Sequence, residues 1–186
     1  MRGNPKEIHI DRQRMIVSRT DLKGVIEYAN KDFMDISGYS LDELINQQHN
    51  LVRHPDMPAV IFKLMWKRIQ LSQDIFAVVK NKTKNGDYYW VTTKFEIRRD
   101  SLTNKVCGYI AYRQGADKKL VAEITKLYDE LLLIEKSSGI DASEKYLIGF
   151  LDSQNKTYDQ FIDDIVGKSW LFKSFFKIMS SMFANK

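Results

Sequence analysis

The dipeptide Asn85-Gly86 is the feature that most constrains the fold of this chain. It is flanked by FAVVKNKTK (76–84) and DYYWVTTKFEIRR (87–99), two segments rich in the β-branched and aromatic residues that favour strands. An Asn-Gly pair accepts the two positive φ angles of a type I′ turn, which suits a tight hairpin. The sequence therefore predicts an antiparallel hairpin with a type I′ turn at Asn85-Gly86.

Three further strands are predicted around this hairpin. Segments 15–20 and 25–30 form a second hairpin about the turn DLKG, whose glycine permits a positive φ angle. Segment 106–113 follows the polar turn DSLTNK and completes a meander with the first hairpin. The order is therefore two strands, an interval of other structure, and then three strands.

Short helices fill the interval. Asn30 is placed to cap the segment KDFMDIS, and Pro58 suits the first turn of a helix over 58–71, with Asp56 near its cap. Because strands and helices do not alternate, we predict an α+β fold, in which helices pack on one face of a five-stranded antiparallel sheet.

Composition narrows the class of protein. The 186 residues are 44% hydrophobic and 28% charged, which is typical of a soluble globular chain, and no apolar run reaches the roughly 18 residues that span a bilayer. Cys107 is the single cysteine, so neither an intrachain disulfide nor a thiolate zinc cluster is possible. The N-terminal MRGNPKEIHI lacks the apolar core of a secretory signal, and we expect a cytoplasmic protein.

The segment HNLVRHPDMP (49–58) concentrates the polar chemistry. His54 and Asp56 have the spacing of part of an iron site, but too few other histidines remain to complete one, and a metal site is disfavoured. No nucleophile elbow and no glycine-rich phosphate loop is present. Two interpretations remain: a loop in which Arg53 and Asp56 pair and cap a helix, or a site for an anionic ligand, since an arginine fork suits a pyrophosphate.

Three segments together resemble the PAS domain of bacterial aerotaxis and energy-taxis receptors. They are TDLKGVIEYANKDFMDISGYS, the segment 49–58 and VKNKTKNGDYYWV, and the similarity runs from about residue 15 to residue 135. The resemblance implies a cytoplasmic sensor that binds FAD, reports redox state to the chemotaxis machinery and is not an enzyme. Because a receptor with its own signalling domain would be far longer, we expect a separate PAS subunit of a bipartite energy-taxis system. Such a subunit signals to a membrane chemoreceptor on another chain, and no nucleic-acid partner is expected.

The resemblance also implies the domain limits and the site. A PAS sensor domain is expected over 10–115 and a helical C-terminal module over 116–186. Three residues match positions associated with FAD and favour the ligand-binding interpretation of the segment: Arg53, His54 and Asp56. Five more are expected around the flavin cleft: Asn30, Phe62, Trp66, Asn81 and Tyr89.

The residues themselves leave some of these roles open. Phe62 and Trp66 on a helix suit a hydrophobic core as well as a cofactor wall. Asn81 within a strand is more informative, because a buried amide needs a partner. Tyr88 and Tyr89 point to opposite faces of their strand, so only one of them can line the cleft.

One departure from the family pattern bears on the cofactor. Ile75 stands where the family typically has a tryptophan, and isoleucine cannot stack on a flavin ring as an indole could. Haem is the second candidate, with His49 or His54 as axial ligand, and a cofactor-free adaptor that binds partner proteins is the third. A cysteine adduct of the light-sensing type is disfavoured, because Cys107 lies on the last strand.

The C-terminal region is predicted to be helical. In 116–135 the residues Leu120, Ile124, Leu127, Leu131 and Ile134 form a seam that suits either a coiled-coil homodimer or packing on the PAS domain. SSG then ends the helix, a capping box Asp141-Ala-Ser-Glu144 begins another over 142–153, and a third covers 157–184.

The C-terminal segment 165–186 is basic and strongly apolar. Residues 165–186 carry four lysines and no acid, and 168–186 wound as a helix presents a broad apolar face. This face suits the inner membrane surface, a groove on a receptor, or the protein's own core.

Overall fold

The computed structural model describes residues 4–166. Its five strands are β1 (Ile16–Thr20), β2 (Ile26–Ala29), β3 (Ile75–Lys82), β4 (Tyr88–Arg99) and β5 (Val106–Gly115). Its six α-helices are α1 (Lys31–Ser37), α2 (Leu41–Leu44), α3 (Ala59–Gln70), α4 (Lys118–Ser138), α5 (Ile140–Ser153) and α6 (Tyr158–Val166). A 3₁₀ turn at His49–Val52 precedes α3.

The strands form one antiparallel sheet in the order β2-β1-β5-β4-β3. Within residues 4–166 the first and last strands, β1 and β5, are neighbours, with Ser18 opposite Ala111. Strand β3 lies at an edge beside β4, with Val79 opposite Val91. The predicted α+β class and the five-stranded antiparallel sheet are confirmed. Strand β5 runs two residues further than predicted, to Gly115.

The hairpin between β3 and β4 forms, but the predicted type I′ turn is wrong. Of the two turn residues Asn85 and Gly86, only Gly86 has a positive φ angle, 94°. The Gly86 N–H donates to the Thr83 carbonyl at 3.1 Å. The Thr83 N–H donates in turn to the Asp87 carbonyl at 2.7 Å. This is a longer loop with a turn from Thr83 to Gly86 and a glycine in the left-handed region, a common alternative to the two-residue turn.

Two helix starts show how local and distant groups share the capping. The Asn30 side chain accepts from the Phe33 N–H at 3.0 Å, so the predicted cap of α1 is confirmed. At α3 the expected role of Asp56 is wrong: Glu135 of α4 accepts from the N–H groups of Ala59 and Val60, each at 2.8 Å. A carboxylate distant in sequence therefore satisfies donors that a helix leaves unpaired at its first turn.

Helix α4 packs on its own chain. Leu120, Ile124, Leu127 and Leu131 are buried in the same hydrophobic core as the sheet residues, and Ile134 is partly buried. The Tyr128 hydroxyl donates to the Val78 carbonyl on the edge strand β3 at 2.8 Å. Of the two interpretations of the seam, packing on the chain's own sheet is the one this structure shows, and α4 also satisfies part of an otherwise exposed strand edge.

Helices α5 and α6 continue the same core through Leu147, Leu151, Phe161 and Ile162. The predicted capping box at residues 141–144 is wrong, because α5 already begins at Ile140 after Gly139, and the two acids of the motif pair with lysines of α3 instead. The expected helix over 157–184 is described from Tyr158 to Val166, and the apolar face of 168–186 lies outside the described residues. The division at residue 115 remains a prediction.

Candidate functional site

A cleft lies between α3, the 3₁₀ turn and the sheet. Its volume is about 230 Å³. Strands β1, β3, β4 and β5 supply its floor, and α3 with the turn after β1 supplies its walls. Its lining residues include Ser18, His49, Arg53, Phe62, Met65, Trp66, Ile69, Val79, Asn81, Phe95, Tyr109 and Arg113.

Arg113 on β5 is the principal charge in the floor. Its side chain is 2% exposed, and burial lowers its pKa to about 10, so the guanidinium stays charged at neutral pH. It donates to Ser18 Oγ at 3.0 Å and contacts His49 Nε2 at 2.8 Å. Within residues 4–166 no carboxylate lies at ion-pair distance from it. A buried cation without an anion is costly, and a ligand with negative charge or electron-rich oxygens would offset that cost.

His49 holds this arginine in place. Its ring stacks on Phe33, with 5.7 Å between ring centroids, and Nε2 also lies 3.1 Å from Ser18 Oγ. Burial, reinforced by the Arg113 charge, lowers the His49 pKa to about 3. The ring is therefore neutral at physiological pH, and its Nε2 accepts from Arg113.

Asn81 supplies an unused donor on the adjacent part of the floor. Its side chain is 3% exposed, and Nδ2 has no hydrogen-bond partner among the described residues. Buried amide groups are nearly always paired, so an unpaired one that lines a cleft indicates a ligand acceptor. Directly across on β4, the hydroxyl of the fully buried Tyr89 likewise lacks a well-formed hydrogen bond; burial raises its pKa, and the nearby Arg113 charge and Asn81 amide partly offset that rise.

The α3 wall is flat and aromatic. Trp66 packs edge-on against Tyr109, with 5.4 Å between ring centroids, and is partly exposed at the mouth of the cleft. Gly24, with φ of 81°, sits against the indole so closely that a Cβ there would lie 3.4 Å from Trp66. The Arg53 guanidinium lies 4.2 Å from the centre of the Phe62 ring. Such planar walls suit a planar ligand.

Four of the eight predicted site residues line the cleft. They are Arg53, Phe62, Trp66 and Asn81. Arg53 also donates to the Met57 carbonyl at 3.2 Å and is bridged through its backbone to Asn81, so the two polar residues are held together. Burial lowers the Arg53 pKa, and the nearby Glu135 partly offsets that effect.

His54 and Asp56 do not line the cleft. Asp56 is bound by Lys80 at 2.8 Å, which lowers its pKa, and it lies 3.5 Å from His54 Nδ1. The pair of Arg53 with Asp56 considered from the sequence is absent from the described ion pairs. The segment 49–58 therefore divides, with its arginine facing the cleft and its aspartate facing solvent.

The remaining two predicted residues have structural surroundings. Asn30 caps α1 and also bonds the backbone around the start of β1, accepting from the Val17 N–H and donating to the Met15 carbonyl. Tyr89 is fully buried opposite Asn81 and does not line the cleft, and neither does Tyr88. Ile75, the departure from the family pattern, is 1% exposed in the core and lies outside the cleft lining.

Arg113 and His49 are the residues that sequence reasoning missed as a pair. In β5 the alternation places Tyr109, Ala111 and Arg113 on the cleft side, so a charged residue stood at an inward-facing position. That mismatch with the hydrophobic pattern was the available signal. No sequence pattern indicated that His49, far away along the chain, would be its partner.

The described residues also bear on metal binding and on membrane spanning. No group of three or more His, Cys, Asp or Glu side chains in the described part of the chain is arranged to hold a metal ion. Within the same residues, none of the helices has the length and apolar character needed to span a bilayer.

Comparison with known proteins defines the class. Residues 26–112 match the family model described as the PAS fold, and the five-stranded sheet with its flanking helices has that fold. The aerotaxis receptor of Escherichia coli (strain K12) is 40% identical over 117 residues, which cover 62% of this chain and 22% of that receptor. The nitrogen fixation regulatory protein of Klebsiella pneumoniae is 30% identical over 82 residues, covering 44% of this chain and 17% of that protein. The chain thus spans only about a fifth of these relatives.

Solved structures agree on the fold. The PAS domain of a protein from Colwellia psychrerythraea superposes with a TM-score of 0.51 at 19% identity, covering 56% of this chain and 87% of that one. A light-oxygen-voltage domain, from a study of its mechanism with a flavin analogue, superposes with a TM-score of 0.51 at 20% identity, covering 62% and 86%. At these identities the likeness establishes the fold alone.

Proposed function

We propose that this protein is a redox sensor that binds FAD in the cleft and relays its state to a membrane chemoreceptor. The observation that carries the proposal is the pair of unmet polar groups in one aromatic-walled cleft: the buried Arg113 charge and the unpaired Asn81 amide. The identity of 40% to an aerotaxis receptor supports this reading, since it extends over 117 residues, 62% of this chain.

The cleft fits the ring system of the cofactor better than the whole molecule. Its 230 Å³ falls below the roughly 300–1,000 Å³ of pockets that enclose a drug-sized ligand. We therefore assign the cleft to the flavin ring, between the α3 wall and the sheet. The diphosphate and adenosine would extend past Arg53, whose guanidinium suits the diphosphate, toward His54 and the solvent-facing Asp56.

The chain's own residues would then respond to redox change. FAD supplies reversible electron uptake when it is bound. Arg113 stabilises negative charge in its vicinity, and the neutral His49 fixes the guanidinium without cancelling its charge. Asn81 can donate from its amide nitrogen or accept through its carbonyl, so a change in ligand protonation alters the hydrogen bonding of β3. Such a change shifts the population of sheet conformations that a docked partner senses.

Haem is less well served by the same geometry. Of the two histidines considered as axial ligands, His49 already accepts from a guanidinium at Nε2, and His54 lies outside the cleft lining. A positive charge 2.8 Å from the ligating nitrogen opposes binding of a cationic iron.

The wider role is inferred from the relative and not from the site. As a part of a taxis system, the chain would act in the cytoplasm as a signalling subunit without catalytic turnover. Its receptor contact is expected to involve the sheet surface or the apolar face of 168–186, which also remains a candidate for contact with the inner membrane.

The absorption spectrum of the purified protein tests the cofactor. We expect yellow protein with flavin bands, and release of FAD rather than FMN on denaturation. Arg53→Ala and Asn81→Ala should each lower FAD retention while leaving the circular dichroism unchanged, because both side chains line the cleft. Arg99→Ala is the matched control, since Arg99 bonds only a nearby turn carbonyl.

Other outcomes would redirect the proposal. A Soret band would identify haem. Colourless protein that FAD does not reconstitute would indicate the cofactor-free adaptor. Equal retention of FAD in wild type and both cleft variants would contradict the assignment of the cleft.

A further inference from the structure

Helix α3 has two differently built sides. Its cleft side carries Phe62, Met65, Trp66 and Ile69. Its other flank carries three cations, all of which pair with acids of the C-terminal helices. One helix therefore contacts both the candidate ligand site and the region that follows the PAS sheet.

The ion pairs are specific in geometry. Lys63 binds both Asp141 and Glu144 of α5, at 2.6 and 2.7 Å, and Lys67 binds the other oxygen of Glu144 at 2.5 Å. Arg68 makes a bidentate pair with Asp159 of α6, at 2.6 and 2.7 Å. Bidentate and shared pairs fix orientation better than isolated surface pairs do.

The start of α3 is fixed by the same helical region. Both oxygens of Glu135, on α4, accept from the first backbone N–H groups of α3. Acids from α4, α5 and α6 thus hold α3 from residue 59 to residue 68, close to its whole length. A helix of 12 residues held in this way moves as a unit, because its internal hydrogen bonds resist bending.

We propose that α3 couples the cleft to α5 and α6, so that a change in the cleft is transmitted to the C-terminal helices through this side of the domain. The inference rests on the proposed function only in requiring that the cleft holds a ligand whose state changes. Coupling between two sites is reciprocal, so a change imposed at α5 must also alter the conformation of the cleft. That reciprocity allows a test without any ligand.

The first experiment uses Glu144→Lys, which reverses the acid shared by Lys63 and Lys67. Asp152→Lys is the matched control, because Asp152 lies on the same helix, is exposed and has no described ion pair. Protein labelled with 5-fluorotryptophan reports Trp66, whose ¹⁹F signal is assigned from Trp66→Phe. We expect Glu144→Lys to shift or split that signal and Asp152→Lys to leave it in place.

The second experiment uses the full chain loaded with FAD. Hydrogen exchange is compared between the oxidised and the dithionite-reduced protein. We expect a redox-dependent difference at amides of 140–153 and 158–166 in the wild type, and its loss in Glu144→Lys with FAD still bound. Reversing every charge of the cluster, with Asp141→Lys and Glu144→Lys combined with Lys63→Glu and Lys67→Glu, should restore the difference, and circular dichroism checks that the single variant is folded.

The outcomes separate the two proposals. If the protein binds no FAD, the proposed function is contradicted. The coupling is then tested by the Trp66 ¹⁹F signal alone. Bound FAD with no redox-dependent exchange in α5 or α6 overturns the coupling and leaves the cofactor assignment standing. An unshifted Trp66 signal in Glu144→Lys likewise overturns the coupling.

Discussion

The two histidines of the segment 49–58 lie five residues apart and meet opposite electrostatic surroundings. His49 lies in the cleft beside Arg113, a cation for which the described chain supplies no anion. His54 lies beside Lys80 and Asp56, a cation and an anion that neutralise each other. Burial lowers the pKa of both rings. At the His49 end, the Arg113 charge is therefore available to a ligand. At the His54 end, the charges of Lys80 and Asp56 already balance each other.

The contrast teaches where to look for binding in a polar loop. Histidine, arginine and aspartate are equally suggestive in the sequence, but a group already paired has little to offer a ligand. The unmet groups, Arg113 and Asn81, contact the loop but belong to strands that are distant from it in the sequence. The predictions below vary one end of the segment or the other.

The largest effect is expected from Arg113→Met, which removes the uncompensated cation but keeps most of its volume. FAD affinity should fall at least about 30-fold, since truncating one member of a buried charged contact costs about 2 kcal/mol or more. The free energy of unfolding without cofactor should hold or rise, because the cost of burying the charge disappears and His49 keeps its contact with Ser18.

Isothermal titration with FAD and urea unfolding of the cofactor-free protein measure these two quantities. A variant that binds FAD normally and loses stability would show that Arg113 is structural, and the contrast between the two ends would then fail.

The second largest effect is expected from His49→Gln, on the way the free energy of unfolding depends on pH in acid. Because the folded His49 pKa is about 3 and an unfolded histidine titrates near 6.5, the unfolded state binds the extra proton as pH falls below 6.5. Stability from this group is complete above pH 6.5 and is lost progressively down to about pH 3, by up to about 1.4 kcal/mol per pH unit.

The glutamine variant should therefore lose less stability than the wild type between pH 6.5 and 5, measured by urea unfolding at each pH. His9→Gln is the control, since its ring is exposed. Identical pH profiles for wild type and His49→Gln would show that His49 is protonated equally in both states.

The smallest effect is expected from Asp56→Asn at the solvent end. Asp56 is 62% exposed although its partner Lys80 is only 14% exposed, and an ion pair whose carboxylate remains in solvent contributes about 0.5 kcal/mol. Stability should change by no more than about that amount, and FAD retention should fall less than in Arg53→Ala. Retention as poor as in Arg53→Ala would place Asp56 in direct contact with the cofactor and erase the difference between the two ends.

Much of the fold could be predicted from local patterns. The strands follow from alternating β-branched and aromatic residues, and the α1 cap follows from Asn30 standing before KDFMDIS. Predictions failed where a distant group competed with a local one. Glu135, and not Asp56, caps the start of α3. Asp141 and Glu144 pair with Lys63 and do not form a capping box. Of the site, the inward Asn81 was predictable because strand alternation is local.

The sequence by itself determined the α+β class, the five strands and the PAS resemblance, because each depends on residue periodicity or on short motifs that interact within a few residues. The tertiary structure alone decided that β1 pairs with β5, which brings Ser18 beside Arg113 and lets both meet His49. It also decided that the α4 seam packs on the sheet and that α5 forms ion pairs with α3. These contacts join residues tens of positions apart, and no local preference specifies which distant side chain arrives to complete a charge or a hydrogen bond.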